Sequence, residues 1–554
     1  MRYLTDGLYK PACVFLVVTT LILSFCWAVS AKADEETTVG AAKSSQASAA
    51  TFYQPDKVQE IHLQIKDVDL ARLKSALPRR IYVPATFRWG TQTIKNVGVR
   101  YKGNSSSNPN QRHKRSFLVK FSEFEKGRTF LGLQRVALDN GIQFGSLFSE
   151  PLITAILRDL EVPASRCNYT TLYLNGKFHG VYTNVERLDS VYIKNHFSGS
   201  GALYKNHTGG AGGSLEPVRL PLDPNDRRGL AFEPKSSAAH QDARDVLALI
   251  EKINKTPDRD FARVMEATLD MDSFLKTMAV MLFSGAFDQL TGWAPHNYYL
   301  YHDPADGRWH YLPWDLDVGF ADNAFRRVPV IAGWHAAWPI MPRPPSPLIQ
   351  RIVDNPQLLA RYRHEADVIL EKYFHPRVLV PRLDQLYLHI KDDLAADPFP
   401  DSRVTNPEDR SYDTIVASMK EFMQRRYQSA RAQLDRPGPR PPLNRSAPPS
   451  PGIQTADAPS ELRVVAATAT SVMFRWKDNS QKEIGHILQR ADGEKGGEFR
   501  NLRGQPGQNL TTMSDNKVMP GKTYRYRVYA VQGGPTGPQG MGVSNTVTVQ
   551  VPGK

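Results

Sequence analysis

The most regular pattern of apolar and polar positions lies at residues 296–320, HNYYLYHDPADGRWHYLPWDLDVGF. Alternation over Tyr298–His302 predicts a β-strand, and Asp303-Pro304 and Asp306-Gly307 are turn-forming pairs. A second strand from Trp309 is expected to end at Asp315-Leu316-Asp317. Since strand side chains alternate, the two carboxylates should point the same way. Alone, this stretch is either a hairpin with a solvated acidic end or a Mg²⁺ site completed by substrate phosphates.

The same alternation predicts a group of strands nearer the N-terminus, with one short helix over Leu70–Ala76. The strands are Val58–Ile65, Arg80–Phe87, Ile94–Tyr101 and Ser116–Phe121. A small polar loop, KGNSSS, follows the third strand at residues 102–107, and Lys114-Arg115 precede the fourth. Loop N–H groups and a lysine can hold a polyphosphate. An ordinary β-meander with solvated lysines is the alternative.

Helical periodicity dominates the middle of the chain. A helix is predicted over Ser146–Leu160, with Glu150 near its start. A hairpin follows around the Asn175-Gly176 turn, and Glu186 comes directly after it. Further helices are predicted over Ala243–Ile253, Asp258–Ala267 and Met271–Phe287, and again from Pro347 to Leu434. The helix over Met271–Phe287 is apolar on most sides and should be buried. Asp288 comes directly after it.

The C-terminal part differs in composition. Residues 436–458 are proline-rich and predict an extended linker. The strands expected after it are Leu462–Ala467, Ser471–Trp476, Gly485–Arg490, Thr523–Val531 and Ser544–Val551. Their spacing predicts a β-sandwich over residues 459–552. It resembles a fibronectin type III domain, with Trp476 in the core and Tyr526 as the tyrosine-corner residue. A passive spacer and a module that binds a polysaccharide or protein ligand are both compatible with this pattern.

The N-terminus has the pattern of a signal peptide over residues 1–33. Ala12–Val29 is nearly all apolar and Ala31-Lys32-Ala33 offers a cleavage site. We therefore expect export to the periplasm, the cell surface or the extracellular space; a retained anchor helix is the alternative, and the only expected membrane contact. Residues 34–52 predict a flexible spacer. Cleavage would leave Cys167 as the last cysteine, so no intrachain disulfide is expected.

The charge of the chain is compatible with an anionic ligand. The formal net charge is +14, and 23% of the residues are charged while 41% are hydrophobic. Those fractions are typical of a folded protein. No long Lys/Arg run concentrates the positive charge, so a nucleic-acid partner is not expected.

Six short motifs occur in an order that resembles the CotH-type (spore-coat) atypical protein kinase family. They are GVRYKGNSS (98–106), KRSFLVKF (114–121), LYLNGKFHGVYTNVE (172–186), GALYK (201–205), HNYYLY (296–301) and PWDLDVGF (313–320). The resemblance implies an α+β fold: a divergent protein-kinase-like two-lobed domain over residues 53–435, followed by the all-β sandwich. It also implies transfer of the ATP γ-phosphate, with Mg²⁺ or Mn²⁺, to Ser/Thr of secreted or envelope proteins.

The resemblance also implies roles for individual residues. Asp315 matches the metal-binding aspartate, and Asp317 would share the metal or order the loop. Asp288 matches the catalytic carboxylate, and Asn297 matches a metal-binding asparagine. Such a site needs a metal, charge neutralisation and a carboxylate near the acceptor hydroxyl. The interval QLTGWAPH between Asp288 and Asn297 is longer than that of an ordinary kinase catalytic loop.

The nucleotide-binding candidates lie upstream of these residues. Lys102, Lys114 and Lys120 are candidates for the phosphate-binding lysine, and the position of Lys120 inside a strand favours it. The others are Arg100 for phosphate, Glu150 as the lysine's salt-bridge partner and Glu186 near the adenine.

Two other function classes stay open on the sequence. One is a surface adhesin in which a pseudokinase domain is a scaffold for the sandwich. The other is a hydrolase that uses Asp288, Asp315 and Asp317 with a metal. Metal-dependent hydrolases usually need histidine ligands or a dense carboxylate pair beside an activated water, and the histidines here lack an HExxH-like spacing.

Overall fold

The computed structural model of the protein describes residues 48–103, 106–111, 114–141, 146–197, 200–207, 210–218, 229–292, 295–321, 323–324, 328–329, 346–399, 409–435, 457–481, 483–494, 499–506, 509–534 and 537–553. The predicted signal peptide, most of the predicted spacer and nearly all of the proline-rich linker lie outside these residues.

A closed seven-stranded barrel forms the first part of the described chain. Its strands are β1 (Gln59–Ile65), β2 (Val83–Trp89), β3 (Gln92–Tyr101), β4 (Phe117–Lys120), β5 (Arg135–Asp139), β6 (Cys167–Leu174) and β7 (Lys177–Val185). Neighbours are antiparallel, except that β6 pairs with β1 in parallel and closes the barrel. The β6–β7 hairpin has the predicted turn, with positive φ at Asn175 and Gly176.

The barrel interior is filled by alternating strand residues and by apolar residues from outside the strands, among them Phe52 and Phe130. Phe52, at the end of helix α1 (Ala49–Phe52), is fully buried there. Its ring packs edge-on against Trp89 at 5.4 Å and Phe130 at 5.1 Å. The predicted flexible spacer is therefore wrong over residues 49–52, because an aromatic anchor fixes them to the barrel core.

A four-stranded sheet and a set of helices follow the barrel in the chain. The sheet order is β11-β10-β8-β9, with β8 (Ala202–Asn206), β9 (Phe232–Pro234), β10 (Tyr298–His302) and β11 (Trp309–Pro313). A short pair, β12 (Asn323–Ala324) and β13 (Val328–Pro329), follows. The helices are α2 (Asp67–Ser75), α3 (Ser149–Asp159), α4 (Ser190–His196), α5 (Arg244–Lys255), α6 (Phe261–Thr268), α7 (Met271–Ser284), α8 (Pro347–Asp354), α9 (Pro356–Ile369), α10 (Pro376–Ala395) and α11 (Tyr412–Leu434).

Helix α7 lies in the largest hydrophobic cluster, as its apolar sequence predicts. It ends at Ser284, three residues earlier than predicted, because Gly285 adopts a left-handed conformation (φ +72°) that stops the helix. Residues 285–288 therefore lead out of the helix, and Asp288 lies in a loop. Among the described helices, none combines the length and apolar character needed to cross a membrane.

The C-terminal residues form two antiparallel sheets around their own core. One contains β14 (Ser460–Thr468), β15 (Ser471–Lys477) and β18 (Thr512–Asp515); the other contains β16 (Glu483–Asp492), β17 (Arg500–Pro506), β19 (Thr523–Gly534), β20 (Gly537–Val543) and β21 (Val547–Gln550). Trp476 is buried in the core as predicted.

The tyrosine predicted to form the corner is the wrong one. Tyr526 donates to the Asp515 side chain at 2.9 Å, whereas a tyrosine corner bonds the backbone a few residues upstream. Tyr524 has that bond: its hydroxyl accepts from the Met519 N–H at 3.2 Å.

Candidate functional site

Lys102 links the barrel to the loop after β11. Its ammonium donates to Asp139 Oδ1 at 2.5 Å and to Asp315 Oδ1 at 3.3 Å. Lys102 follows β3 and Asp139 ends β5; both strands pair with β4, which brings their ends to the same edge. Burial alone would lower the pKa of Lys102, but the charges of Asp139 and Asp315 outweigh it and raise the pKa. The lysine is therefore held in its charged form.

Asp315 has an uncommon backbone conformation, with φ at +60°. Aspartate tolerates this left-handed region better than most residues, and such residues cluster at functional sites. Burial raises the pKa of its carboxyl, but Lys102, then Lys205, outweigh that effect, so the net pKa is lowered. Its side chain is 35% exposed, which leaves an ionised carboxylate open to a ligand.

Glu150 and Asp317 complete an acidic group beside Asp315. Glu150, at the start of α3, accepts from the Leu316 N–H at 3.3 Å through Oε1, while Oε2 has no hydrogen-bond partner. Burial, then the charges of Asp139 and Asp315, raises the pKa of Glu150 to about 8. Burial and the Asp315 charge also raise the pKa of Asp317 well above its usual value. For Glu150, the charge of Lys102 acts in the opposite direction but does not outweigh these effects.

Asp288 and Asn297 meet despite their long separation in sequence. The Asn297 side-chain N–H donates to Asp288 Oδ2 at 2.6 Å, and the His296 N–H donates to the Asp288 carbonyl at 3.2 Å. Asp288 Oδ1 is buried without a hydrogen-bond partner. Burial raises the pKa of Asp288 to about 6, and the nearby Asp315 charge contributes. The loop QLTGWAPH therefore brings Asn297 back beside Asp288, and the side-chain amide of Asn297 bonds the Asp288 carboxylate.

Several sequence-predicted residues lie in other interactions. Lys120 donates to Glu123 at 2.7 Å and lies over the Tyr82 ring, so the geometry favours Lys102 over Lys120. Glu150 is near Lys102, but the direct ion-pair partners of Lys102 are Asp139 and Asp315.

The three remaining nucleotide-binding candidates also have partners of their own. Arg100 stacks on Tyr82 and donates to the Tyr101 carbonyl. Lys114 is fully buried against Asp397 at 2.6 Å. Glu186 is held by the guanidinium of Arg166. These contacts give each of the three residues a structural role, and none of the contacts is with Asp315.

Three charged residues at the site were missed by sequence reasoning. Asp139 ends a strand that local alternation did not predict. Lys205 lies within the GALYK motif, and Arg187 directly follows the quoted LYLNGKFHGVYTNVE motif. A clue to the last two was available, since cations beside family motifs are candidates for anion contacts. Asp139 carried no local signal, because its importance comes from strand pairing.

The donors at the site suit a hard cation. Asp315, Asp317 and Asn297 offer only oxygen ligands from side chains, as Mg²⁺ prefers, and the raised pKa values of Asp317 and Asp288 mark a shortage of positive charge. Among the described residues, three potential ligands whose atoms lie within 4.8 Å of one another occur elsewhere, at Asp303, Asp306 and His310 in the β10–β11 hairpin. There, however, Asp306 is paired with Arg308, and His310 lies 3.3 Å from Asp270.

Comparison with known proteins shows to which family the chain belongs. A sequence model of the CotH kinase protein family matches residues 99–430. Inner spore coat protein H of Bacillus subtilis (strain 168) is 23% identical over 352 residues, covering 64% of this chain and 92% of that protein. The crystal structure of an FN3 domain of human collagen XX is 18% identical and covers 18% of this chain and 98% of that one, with a TM-score of 0.16. The fibronectin type III domain of human fibronectin type III domain containing protein 3 is 15% identical and covers 19% of this chain and 94% of that one, with a TM-score of 0.15.

Proposed function

Because this chain belongs to the CotH kinase protein family, we propose that it is an exported protein kinase that transfers the γ-phosphate of ATP to serine or threonine hydroxyls of secreted or envelope proteins. The observation that carries this proposal is the Asn297–Asp288 hydrogen bond of 2.6 Å, near the carboxylate of Asp315, which Lys102 holds. Phosphoryl transfer depends on positioning and charge neutralisation around such groups.

Asp288 has the properties of the group that receives the acceptor proton. In the proposed step the hydroxyl oxygen attacks the γ-phosphorus, the bond from that phosphorus to the β–γ bridging oxygen breaks, and ADP leaves with the electron pair. The hydroxyl proton passes to Asp288 Oδ1, which has no protein partner, and then to solvent. A carboxylate with a pKa of about 6 is ionised at neutral pH and is more basic than an exposed aspartate.

Asp315, Asp317 and Asn297 would hold Mg²⁺ or Mn²⁺. The bound ion would supply neutralisation of the phosphate charge. The protein's own contribution is orientation: the Leu316 N–H bonds Glu150 and the Ser146 N–H bonds the Asp317 carbonyl, so the start of α3 fixes the loop that carries the carboxylates.

The arrangement of the rest of the chain belongs to the same proposal. The barrel and the helical part would be the two lobes of a divergent kinase, with the nucleotide between them. The C-terminal sandwich would be a fibronectin type III module that binds a polysaccharide or protein ligand in the envelope. The signal peptide would direct the chain out of the cytoplasm.

The proposal is tested by transfer of label from γ-labelled ATP with Mg²⁺ or Mn²⁺. The wild type should label itself or an envelope protein extract, and Asp315→Asn should lower transfer by about 10²-fold or more, because the proposed metal loses a ligand charge. The matched control is Asp56→Asn, since Asp56 is exposed and remote in sequence from these motifs. No protein labelling by the wild type would overturn the proposal, and release of free phosphate alone would favour the hydrolase.

A further inference from the structure

Three cationic side chains lie against two aromatic rings next to Asp315. The rings of Tyr299 and Trp314 meet edge-on with centroids 6.2 Å apart. Lys102 Nζ lies 5.3 Å and Arg187 Cζ 4.5 Å from the Trp314 ring centroid, and Lys205 Nζ lies 5.7 Å from that of Tyr299. We call these three cations the cation cluster.

Lys205 forms no direct ion pair with any described residue, and the charge of Asp315 acts on it only from a longer distance. It lies on β8 directly opposite Tyr299 of β10 and is half-buried. Its ammonium makes no hydrogen bond or ion pair to any residue that the structure describes. Burial, followed by repulsion from Arg187, lowers the pKa of Lys205 to about 8. A half-buried ammonium with only an aromatic face beside it is poorly satisfied.

The guanidinium of Arg187 also lacks some of its hydrogen-bond partners. Its guanidinium donates one long hydrogen bond, 3.4 Å, to the Tyr299 hydroxyl, and its buried Nε has no hydrogen-bond partner. It has no ion pair with a described residue. Lys102, in contrast, is matched by two carboxylates, Asp139 and Asp315. Arg187 and Lys205 are therefore the two cations of the cluster that have no direct ion pair with a described residue.

We propose that Arg187 and Lys205 bind the β- and γ-phosphates of the nucleotide, with Tyr299 and Trp314 holding both side chains in place. The proposal rests on the proposed kinase function, and it assigns the phosphate contacts to residues outside the lysine-bearing barrel strands. A guanidinium and an ammonium that converge on one aromatic pair suit a chain of phosphate oxygens, because charge-assisted hydrogen bonds would satisfy the free N–H groups. The alternative is that both cations only pack against the rings.

The test is titration calorimetry on the full chain with three probes: tripolyphosphate, ATP and AMP, all with Mg²⁺. Lys205→Met and Arg187→Met should each weaken binding of tripolyphosphate and ATP by about tenfold or more, the usual size of a charged hydrogen bond. Binding of AMP, which lacks the β- and γ-phosphates, should change by less than about twofold on the same scale. Lys205→Arg should keep most of the ATP affinity, since it keeps the charge.

Lys120→Met is the matched control. It removes a strand lysine that is already paired with Glu123, so ATP and tripolyphosphate affinities should equal those of the wild type. Thermal unfolding of each variant confirms folding, and Lys205→Met carries the test if Arg187→Met does not fold.

The outcomes separate this inference from the kinase proposal. Unchanged ATP affinity in Lys205→Met, or an equal loss for ATP and AMP, would overturn the phosphate assignment while leaving the kinase proposal intact. A wild type that binds tripolyphosphate but not ATP would overturn the kinase proposal and keep the anion site. Binding of neither probe would overturn both.

Discussion

At the scale of single residues, the burial of the Asp288 carboxylate is energetically unfavourable. Asp288 is 7% exposed, one of its carboxyl oxygens has no hydrogen-bond partner, and burial raises its pKa to about 6. An aspartate whose pKa is higher in the folded than in the unfolded state destabilises the fold at neutral pH. The residue is therefore placed at a cost in stability, which is typical of a functional group.

We predict that Asp288→Asn separates activity from stability. Phosphoryl transfer should fall by about 10²- to 10⁴-fold, the range for loss of a general base. With a chelator present, the variant at pH 7.5 should be more stable than the wild type by up to about 3 kcal/mol, because the buried charge is gone. Both quantities are measurable on one preparation, by label transfer and by urea unfolding.

The pH dependence of stability tests whether the buried charge of Asp288 causes this difference. The folded pKa is raised, so the wild type's disadvantage is fully present above about pH 6, decreases as Asp288 becomes protonated in the folded state, and is lost below about pH 4, where Asp288 is protonated in both states. The stability gain of Asp288→Asn should shrink over the same interval. A variant that is less stable at pH 7.5 and inactive would point to a structural role instead.

The family motifs in the sequence supplied most of the candidate site residues, but they did not supply Asp139, which reaches the site through strand pairing. Asp288, Asn297, Asp315 and Lys102 were all candidates, and the structure brings them together. Asp139 was missed, because RVALD carries no sign that its last residue will face Lys102 across β4. Lys120 was preferred for its position inside a strand, but its neighbour Glu123 already neutralises it. Local sequence patterns therefore supply candidate residues, and the neighbours of each candidate in the structure show whether it lies at the site.

At the scale of elements, a buried ion pair joins the segment before β4 to the chain just after α10. Lys114 and Asp397 are paired at 2.6 Å with both side chains buried. Asp397 also accepts from the Val181 N–H at 2.9 Å and from the Phe399 N–H at 3.0 Å. Gly180, with φ at +114°, leaves room for this carboxylate, since an added Cβ would lie 2.5 Å from its Oδ2.

We predict that Gly180→Ala destabilises the protein through this contact. The positive φ should cost about 1–2 kcal/mol, and displacing the Asp397 carboxylate should add about 1–3 kcal/mol. The matched control is Gly176→Ala in the β6–β7 turn: its φ is also positive, at +79°, but its Cβ would have nothing within 4 Å. Urea unfolding should give the larger loss for Gly180→Ala, and equal losses would mean that the Asp397 contact contributes nothing.

Element boundaries followed the local signals where those signals were strong. The Asn175-Gly176 hairpin and the buried helix at Met271 appear as predicted, since turn chemistry and apolar periodicity act locally. The described residues of the C-terminal sandwich form eight strands, where five were predicted. The missed strands Arg500–Pro506, Thr512–Asp515 and Gly537–Val543 are rich in Gly, Gln, Asn or Thr and lack apolar alternation, so only pairing with β15, β16 and β19 identifies them.

At the scale of the whole molecule, the closed barrel could not be predicted from the sequence. Its closure depends on the parallel pairing of β1 with β6, where Gln59 lies opposite Thr170, more than 100 positions away.

The division of the chain into two regions was easier to predict, because a proline-rich stretch separates two regions of different periodicity. In the described residues, each hydrophobic cluster draws on residues 52–430 or on residues 462–551, and none mixes the two.

Separate cores predict that the two regions fold and act independently. Cutting the chain at residue 445 should give a fragment 48–445 that transfers phosphate to an extract protein within about twofold of the rate of residues 48–554, since the proposed catalytic groups lie at residues 102–317. Fragment 446–554 should unfold cooperatively on its own, because the sandwich core is complete within it. Calorimetry of the longer chain should then show two transitions at the temperatures of the fragments. A fragment 446–554 without a cooperative transition would show that the sandwich needs residues 48–445 to fold. A large loss of rate in fragment 48–445 would assign the sandwich a part in binding the acceptor.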